Sequence, residues 1–228
     1  MAKSRPPISR FVLEIFSIFL GVTIAFLANH WNEQRKERIL EEKILKEINV
    51  ELASDLTDLN QNIYGHEQGI VAVKLFRRYM QGEAVDYDSL SAYFERLYRD
   101  YISITNTTGY EMLRSRGLEV IRNDQLRSEI VNLYDFKYEI ITKLEEEYHP
   151  AQFHKNYFTT LSHFFRDYME VGETKLSITR PYNGEPDPEI MLILREIQSW
   201  RTFLIDAYRQ SINSIAELRA DITAEVGE

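Results

Sequence analysis

One carboxylate stands inside the most apolar stretch of this sequence. Phe11 to Ala28 reads FVLEIFSIFLGVTIAFLA, and Glu14 lies about one turn into it. An ionisable group in such a setting is costly, and where it occurs it commonly serves a proton, an ion path or a partner charge. Glu14 is also near enough to the end of the run to reach a polar headgroup layer, or to pair with Arg10 one turn earlier. Two readings therefore stand: local pairing with snorkelling, or a place in the interior of an oligomer. In the second, carboxylates of neighbouring subunits gather and share protons. Ser17, Gly21, Ala25 and Asn29 recur every four residues on one helical face. Small side chains at that spacing let two helix backbones approach closely. Glu14, Gly21 and Ala28 repeat by seven along an adjoining stripe.

Other constellations carry less. His149, His154 and His163 follow Glu145, Glu146 and Glu147, but Pro150 separates the first histidine from the others. A gap of nine residues does not place His154 and His163 on one helix face. No H-E-x-x-H or paired Glu-x-x-His spacing is present, so these read as core or surface histidines with no metal expected. With no cysteine there is no thiol nucleophile, thiolate metal site or disulfide. No phosphate-cradling glycine loop and no nucleophile elbow occur. The acids fall at helical spacings that read as solvated faces. No catalytic residue and no cofactor are therefore assigned. Thr108, Tyr110, Glu111, Arg114, Ser115, Gly117 and Asn123 form the one polar segment singled out in the remainder. It reads either as a buried junction of the fold or as a ligand or partner site.

These residues need elements to position them. The Phe11–Ala28 run is apolar on every face and about long enough for a hydrocarbon layer of ~30 Å. Trp31 and Asn32 follow, at the depth where an indole sits at a membrane interface. A cleaved signal peptide fits the leading Lys3, Arg5 and Arg10 but lacks a small-x-small cleavage site. A buried core helix would need protein on all sides. An uncleaved membrane anchor meets neither objection. The arm before the run carries only positive charge, which favours an inside N-terminus with the soluble part outside. The basic residues after the run, among them Arg35, Lys36 and Arg38, oppose that assignment.

About 190 residues follow the anchor, enough for one sizeable core. Nine Gly and six Pro among 228 residues are few for an all-β domain, and a net charge of −9 argues against a nucleic-acid partner. Apolar residues at Leu40, Ile44, Ile48, Leu52, Leu56, Leu59 and Ile63 have helical spacing. They predict one helix from the span into the soluble part, with Gly65 and Gly69 weakening it before a second segment to Met80. Asp86–Tyr101 is a third helix. Thr108 and Glu111 have capping-box spacing and open a short helix stopped at Gly117. Asn123 or Asp124 caps a long helix to Tyr148, and Ala151–Met169 forms another. Lys175–Asn183 is a short strand or a loop. Asp187-Pro188 starts the last helix, which carries Ile190, Leu194, Ile197, Phe203 or Leu204, Tyr208, Ile212, Ile215, Leu218 and Ile222. Long helices at both ends predict an elongated bundle in which the two pack antiparallel.

Two stretches resemble an uncharacterised bacterial family of single-pass membrane proteins. One is Glu14, Gly21, Ala25 and the run Asn29-His30-Trp31-Asn32-Glu33, similar to E-x6-G-x3-A followed by N-N-W-N-E, with His30 in place of an asparagine. The other runs from Thr108, Tyr110, Glu111, Leu113, Ser115 and Gly117 through Ile121, Asn123 and Leu126 to Tyr134. It is similar to T-x-x-E-x-L-x-S-x-G…I-x-N-x-x-L, with a shifted threonine and Arg116 where a second serine is common. The resemblance implies a membrane anchor plus a helical domain and supplies no activity, and the membrane expected for the anchor is a bacterial inner membrane.

The expectation is an all-α chain. It has a basic arm over residues 1–10, a transmembrane helix over 11–31, and a soluble helical bundle over 32–228. It is expected to lie in a lipid bilayer as a homo-oligomer and to act without catalysis, as a sensor, scaffold or protein-partner subunit. A small pore lined by Glu14 and an enzyme with an unrecognised helical site are the rival readings.

Overall fold

The structure, a computed structural model, describes residues 7–173 and 176–227, with side chains from Phe11 onward. Residues 1–6 of the basic arm, the Arg10 side chain and Lys175 lie outside the described residues.

A single helix, α1 (Pro7–Met80, 74 residues), spans about 110 Å at 1.5 Å per residue. Its first part stands free, and from Glu41 onward it is the central element of a helical bundle. Ile44, Ile48, Leu52, Leu59 and Ile63 turn inward as their spacing requires, with Leu40 and Leu56 half-buried. The break expected at Gly65 and Gly69 does not occur, because these glycines serve close approach. A Cβ on Gly65 would overlap the Tyr101 ring, and one on Gly69 would overlap the Arg201 side chain.

After Gly82 comes α2 (Tyr87–Tyr98), capped by Asp86, whose carboxylate accepts the Ser89 amide at 2.8 Å. It ends earlier than its sequence suggests, so Tyr101 lies in the following loop. Next are α3 (Thr108–Arg116) and α4 (Asp124–Asn132). A π turn over Leu133–Tyr138 joins α4 to α5 (Glu139–Glu146), so the expected long helix is a rod with one widened turn. The helix expected over Ala151–Met169 is shorter. It is α6 (Phe153–Phe165), flanked by single 3-10 turns. Met169 instead begins β1 (Met169–Val171), which pairs antiparallel with β2 (Leu176–Ile178), Met169 opposite Ile178.

The chain closes on α7 (Pro188–Val226), whose cap Asp187 accepts the amides of Glu189 and Ile190. Helices α1 and α7 form the main packing pair and run antiparallel: Asn49 meets Arg219, whereas His66 meets Arg201 and Tyr208. Of the two candidates on α7, Leu204 is buried and Phe203 is exposed. Among the described residues the fold is all-α apart from the small hairpin, a long apolar N-terminal helix continuing into a helical bundle.

Candidate functional site

Among the described residues, none of the apolar window in the first part of α1 is buried by the rest of the structure. This corrects the core-helix reading, since the bundle covers other surfaces and leaves this rod bare. Glu14, Ser17, Gly21, Ala25 and Asn29 are all exposed, and among the described residues no neighbour comes within 4 Å of where a Gly21 Cβ would be. Asn29 donates to Glu33 at 3.1 Å, His30 stacks on Phe26, and Trp31 and Asn32 point into open surroundings.

The segment Thr108–Asn123 is brought against α1, but its singled-out residues face different ways. Thr107, not Thr108, is the N-cap of α3, and its hydroxyl reaches the Glu111 carboxylate at 3.2 Å without capping a backbone amide. Tyr110 is buried and stacks on Tyr134 with ring centroids 4.5 Å apart. Burial raises the Tyr110 hydroxyl to about 12. Arg114 lies at the surface, 5.9 Å from the Tyr110 ring centroid and 3.9 Å from Asp135. Ser115 donates to the Met112 carbonyl, and Gly117 turns the chain with φ +102°, a conformation glycine adopts without penalty. Asn123 caps α4 by accepting the amides of Gln125 and Leu126, and its amide donates to Glu225 at 2.8 Å.

Residues not anticipated from the sequence hold this region in place. The acids of α1 are not all solvated: Glu41, Glu51 and Asp55 are buried, and with Asp58 they capture amides from across the fold. Asp58 accepts from Ile104 at 2.9 Å, and Asp55 accepts from both nitrogens of Asn106 and from the Tyr138 hydroxyl at 2.6 Å. Glu51 takes the Gly109 amide, and Glu41 takes the Arg122 amide. Glu51 thus supplies the negative end that α3 needs at its N-terminus, and Asp100 does the same for α6 through Phe153 and His154. Because a carboxylate only accepts and these amides have no helical partner, each contact satisfies two groups at once. Burial raises the pKa of Glu51, Asp55 and Asp100, and the same hydrogen bonds pull it back down.

Deeper still, Arg201, His66, Tyr208 and Glu145 form a chain of polar groups that joins α7, α1 and α5. Its proton directions follow from chemistry. The Arg201 guanidinium can only donate, so Nη1 gives a hydrogen bond to His66 Nδ1 at 2.9 Å. His66 is therefore the neutral Nε2–H tautomer, and Nε2 lies 3.4 Å from the Tyr208 oxygen. The Tyr208 hydroxyl then donates to Glu145 at 2.7 Å, and Glu145 also accepts the Ser103 amide and hydroxyl. Arg201 Nη2 donates to the carbonyls of Arg96, Leu97 and Arg99, which closes the C-terminal end of α2. The guanidinium lies 4.1 Å from the Phe153 ring centroid. Burial pulls the Arg201 pKa down to about 10, leaving it charged at neutral pH, and it raises the Glu145 and Tyr208 values. Arg201 and His66 are shut off from solvent altogether, and this chain of groups ties α7, α1 and α5 together inside the bundle.

No known family, curated protein or solved structure matches this chain. His149, His154 and His163 are exposed, and among the described residues no group of three histidine or carboxylate side chains is placed to hold a metal.

Burial, reinforced by the Arg201 charge, lowers the His66 pKa from 6.5 to about 3. Folding therefore excludes a proton that the unfolded chain binds below pH 6.5. The stability His66 provides is complete above that pH and falls by about 1.4 kcal/mol per unit as the pH drops toward 3. The buried carboxylates act with the opposite sign, since their raised values favour proton uptake on folding. A His66→Gln comparison isolates the histidine, because glutamine can accept from Arg201 and donate to Tyr208 without titrating. The advantage of wild type over His66→Gln should shrink at that slope between pH 6.5 and 5. A constant difference in chemical denaturation across this range would refute the neutral buried imidazole.

Proposed function

We propose that the protein is a membrane-anchored, non-enzymatic helical subunit that holds its bundle beside a bilayer and acts by binding, as an oligomeric sensor or scaffold. The observation that carries this reading is that the bare apolar span and the central helix of the bundle are one element, α1, without an interruption. A span joined rigidly to a core transmits rotation or displacement between membrane and bundle, which a flexible tether would absorb. The inaccessible Arg201–Glu145 chain supports a structural use for the most perturbed groups. The likeness of Asn29–Glu33 to the single-pass bacterial family is in keeping with this reading.

Fractionation of cells expressing the full chain tests it. The protein should stay in the membrane pellet after alkaline carbonate extraction. Leu20→Arg combined with Val22→Arg should release it, each charge costing roughly 3 kcal/mol at mid-span. Recovery of the wild-type chain as a soluble monomer would overturn the proposal.

The exposed Glu14 carboxylate within the span favours a second reading, a small ion-conducting assembly. Under the binding reading, liposomes carrying wild-type protein and Glu14→Gln show the same ion flux as empty vesicles. A flux that depends on Glu14 would select the pore.

A further inference from the structure

We propose that a second copy of this chain packs in parallel along α1, through the face centred on Ile39 and Val50. The parallel sense rests on the membrane-anchor reading, since two copies inserted the same way cannot pair antiparallel. Where α1 enters the bundle, Ile44, Ile48 and Leu52 point into the core. The opposite face leaves Ile39 and Val50 56% and 71% exposed. With Glu42, Lys43, Lys46 and Glu47 they line a shallow groove of about 410 Å³. Aliphatic side chains that bare on a charged helix mark an unfilled contact.

The charges around the groove identify the occupant. At 3.6 residues per turn, Lys43 and Glu47 flank one side of the Ile39–Val50 line, and Glu42 and Lys46 flank the other. A two-fold axis along the helices sets the first side of one copy against the second side of the other at equal height. Lys43 then meets the partner copy's carboxylate at position 42, and Glu47 meets its ammonium at position 46. Within one chain Lys46 and Glu42 are 2.9 Å apart, so the dimer extends an existing ion pair into a cross-helix network. An unrelated partner would have no reason to match this pattern, whereas the chain matches itself.

The phase of the helix agrees. Ile39 follows Gly21 by 18 residues, five turns of an α-helix, so Gly21 and Ala25 fall on the same face without a bend. The six residues that line the groove are few beside the roughly 20–30 a side of a stable interface, so this contact alone would not pair freely diffusing bundles. Confining both copies to one bilayer raises their effective concentration and makes a small contact sufficient.

The absence of native cysteine allows a direct test in the full-length protein. Ile39→Cys and Val50→Cys are each introduced alone, with Asp206→Cys on an exposed part of α7 as reference, and membranes are treated with a mild oxidant. Both α1 variants should form same-residue disulfides at least ten-fold above the reference. Adding Lys43→Glu and Lys46→Glu should remove most of this cross-linking, and Glu42→Lys with Glu47→Lys should restore it. Cross-linking at the reference level, with the protein still in the carbonate-resistant pellet, would refute the pair and leave the anchor standing. Joining of position 39 to position 50 in a mixture of the two variants, in place of same-residue bonds, would refute the parallel geometry. Protein found in the soluble fraction would instead refute the anchor reading.

Discussion

Arg201→Ala is expected to destabilise the bundle by about 4 kcal/mol. Three losses add. The carbonyls of Arg96, Leu97 and Arg99 lose their shared donor at the C-terminal end of α2, that of Leu97 in the buried interior. His66 Nδ1 loses its donor as well, which unfixes the tautomer that orients Tyr208 toward Glu145. A cavity opens beneath the Phe153 ring on which the guanidinium lies. Arg201→Lys should recover only part of this, because an ammonium cannot spread over three carbonyls and an imidazole together. Thermal unfolding of the full-length protein in detergent should show a midpoint roughly 10 °C lower for Arg201→Ala. Arg209→Ala, which removes an exposed side chain 3.3 Å from Glu67, should change stability by no more than about 0.5 kcal/mol. Equal effects of the two substitutions would show that the buried guanidinium is not the brace described.

The long elements were legible because burial and helical period coincide in them. The apolar positions of α1 and α7 have one reading, and Asp187-Pro188, Asn123 and Gly117 mark ends by local chemistry alone. The glycines within α1 were misread because a sequence shows only that glycine weakens a helix. It does not show that Tyr101 and Arg201, distant in the chain, need the space of a missing Cβ. The α3 cap was misplaced by one residue for a similar reason: its true carboxylate, Glu51, comes from another helix.

The largest omission was the buried polar set, and a signal for it did exist. Arg201 falls between Ile197 and Leu204 on the apolar stripe of α7. Asp55 falls between Leu52 and Leu59 on that of α1, and Glu145 follows Ile141 on that of α5. A charged residue at a core position must be paired or neutralised, so each should have been read as half of an interaction. Their partners, backbone amides and carbonyls of irregular segments, have no sequence signature. The same limit applies to the span: composition identifies the apolar rod, while the phase between Gly21 and Ile39 acquires meaning only once α1 is known to be unbroken.

That unbroken helix leads to the second large effect, a change of sign. Gly69→Ala in the wild-type chain should cost about 2 kcal/mol, although alanine is the better helix former by about 1 kcal/mol. The added methyl overlaps the Arg201 side chain, which cannot retreat because its Nη atoms are tied to α2 and His66 and its face rests on Phe153. When Arg201 is already alanine, the overlap disappears and only the helix preference remains. Gly69→Ala should then stabilise the protein by up to about 1 kcal/mol. The double-mutant cycle should therefore give a coupling of about 3 kcal/mol between two residues 132 positions apart in the chain. A glycine retained merely for flexibility would cost or gain the same amount in both backgrounds. The sign reversal is what distinguishes a packed glycine in an unbroken α1 from a hinge at this point.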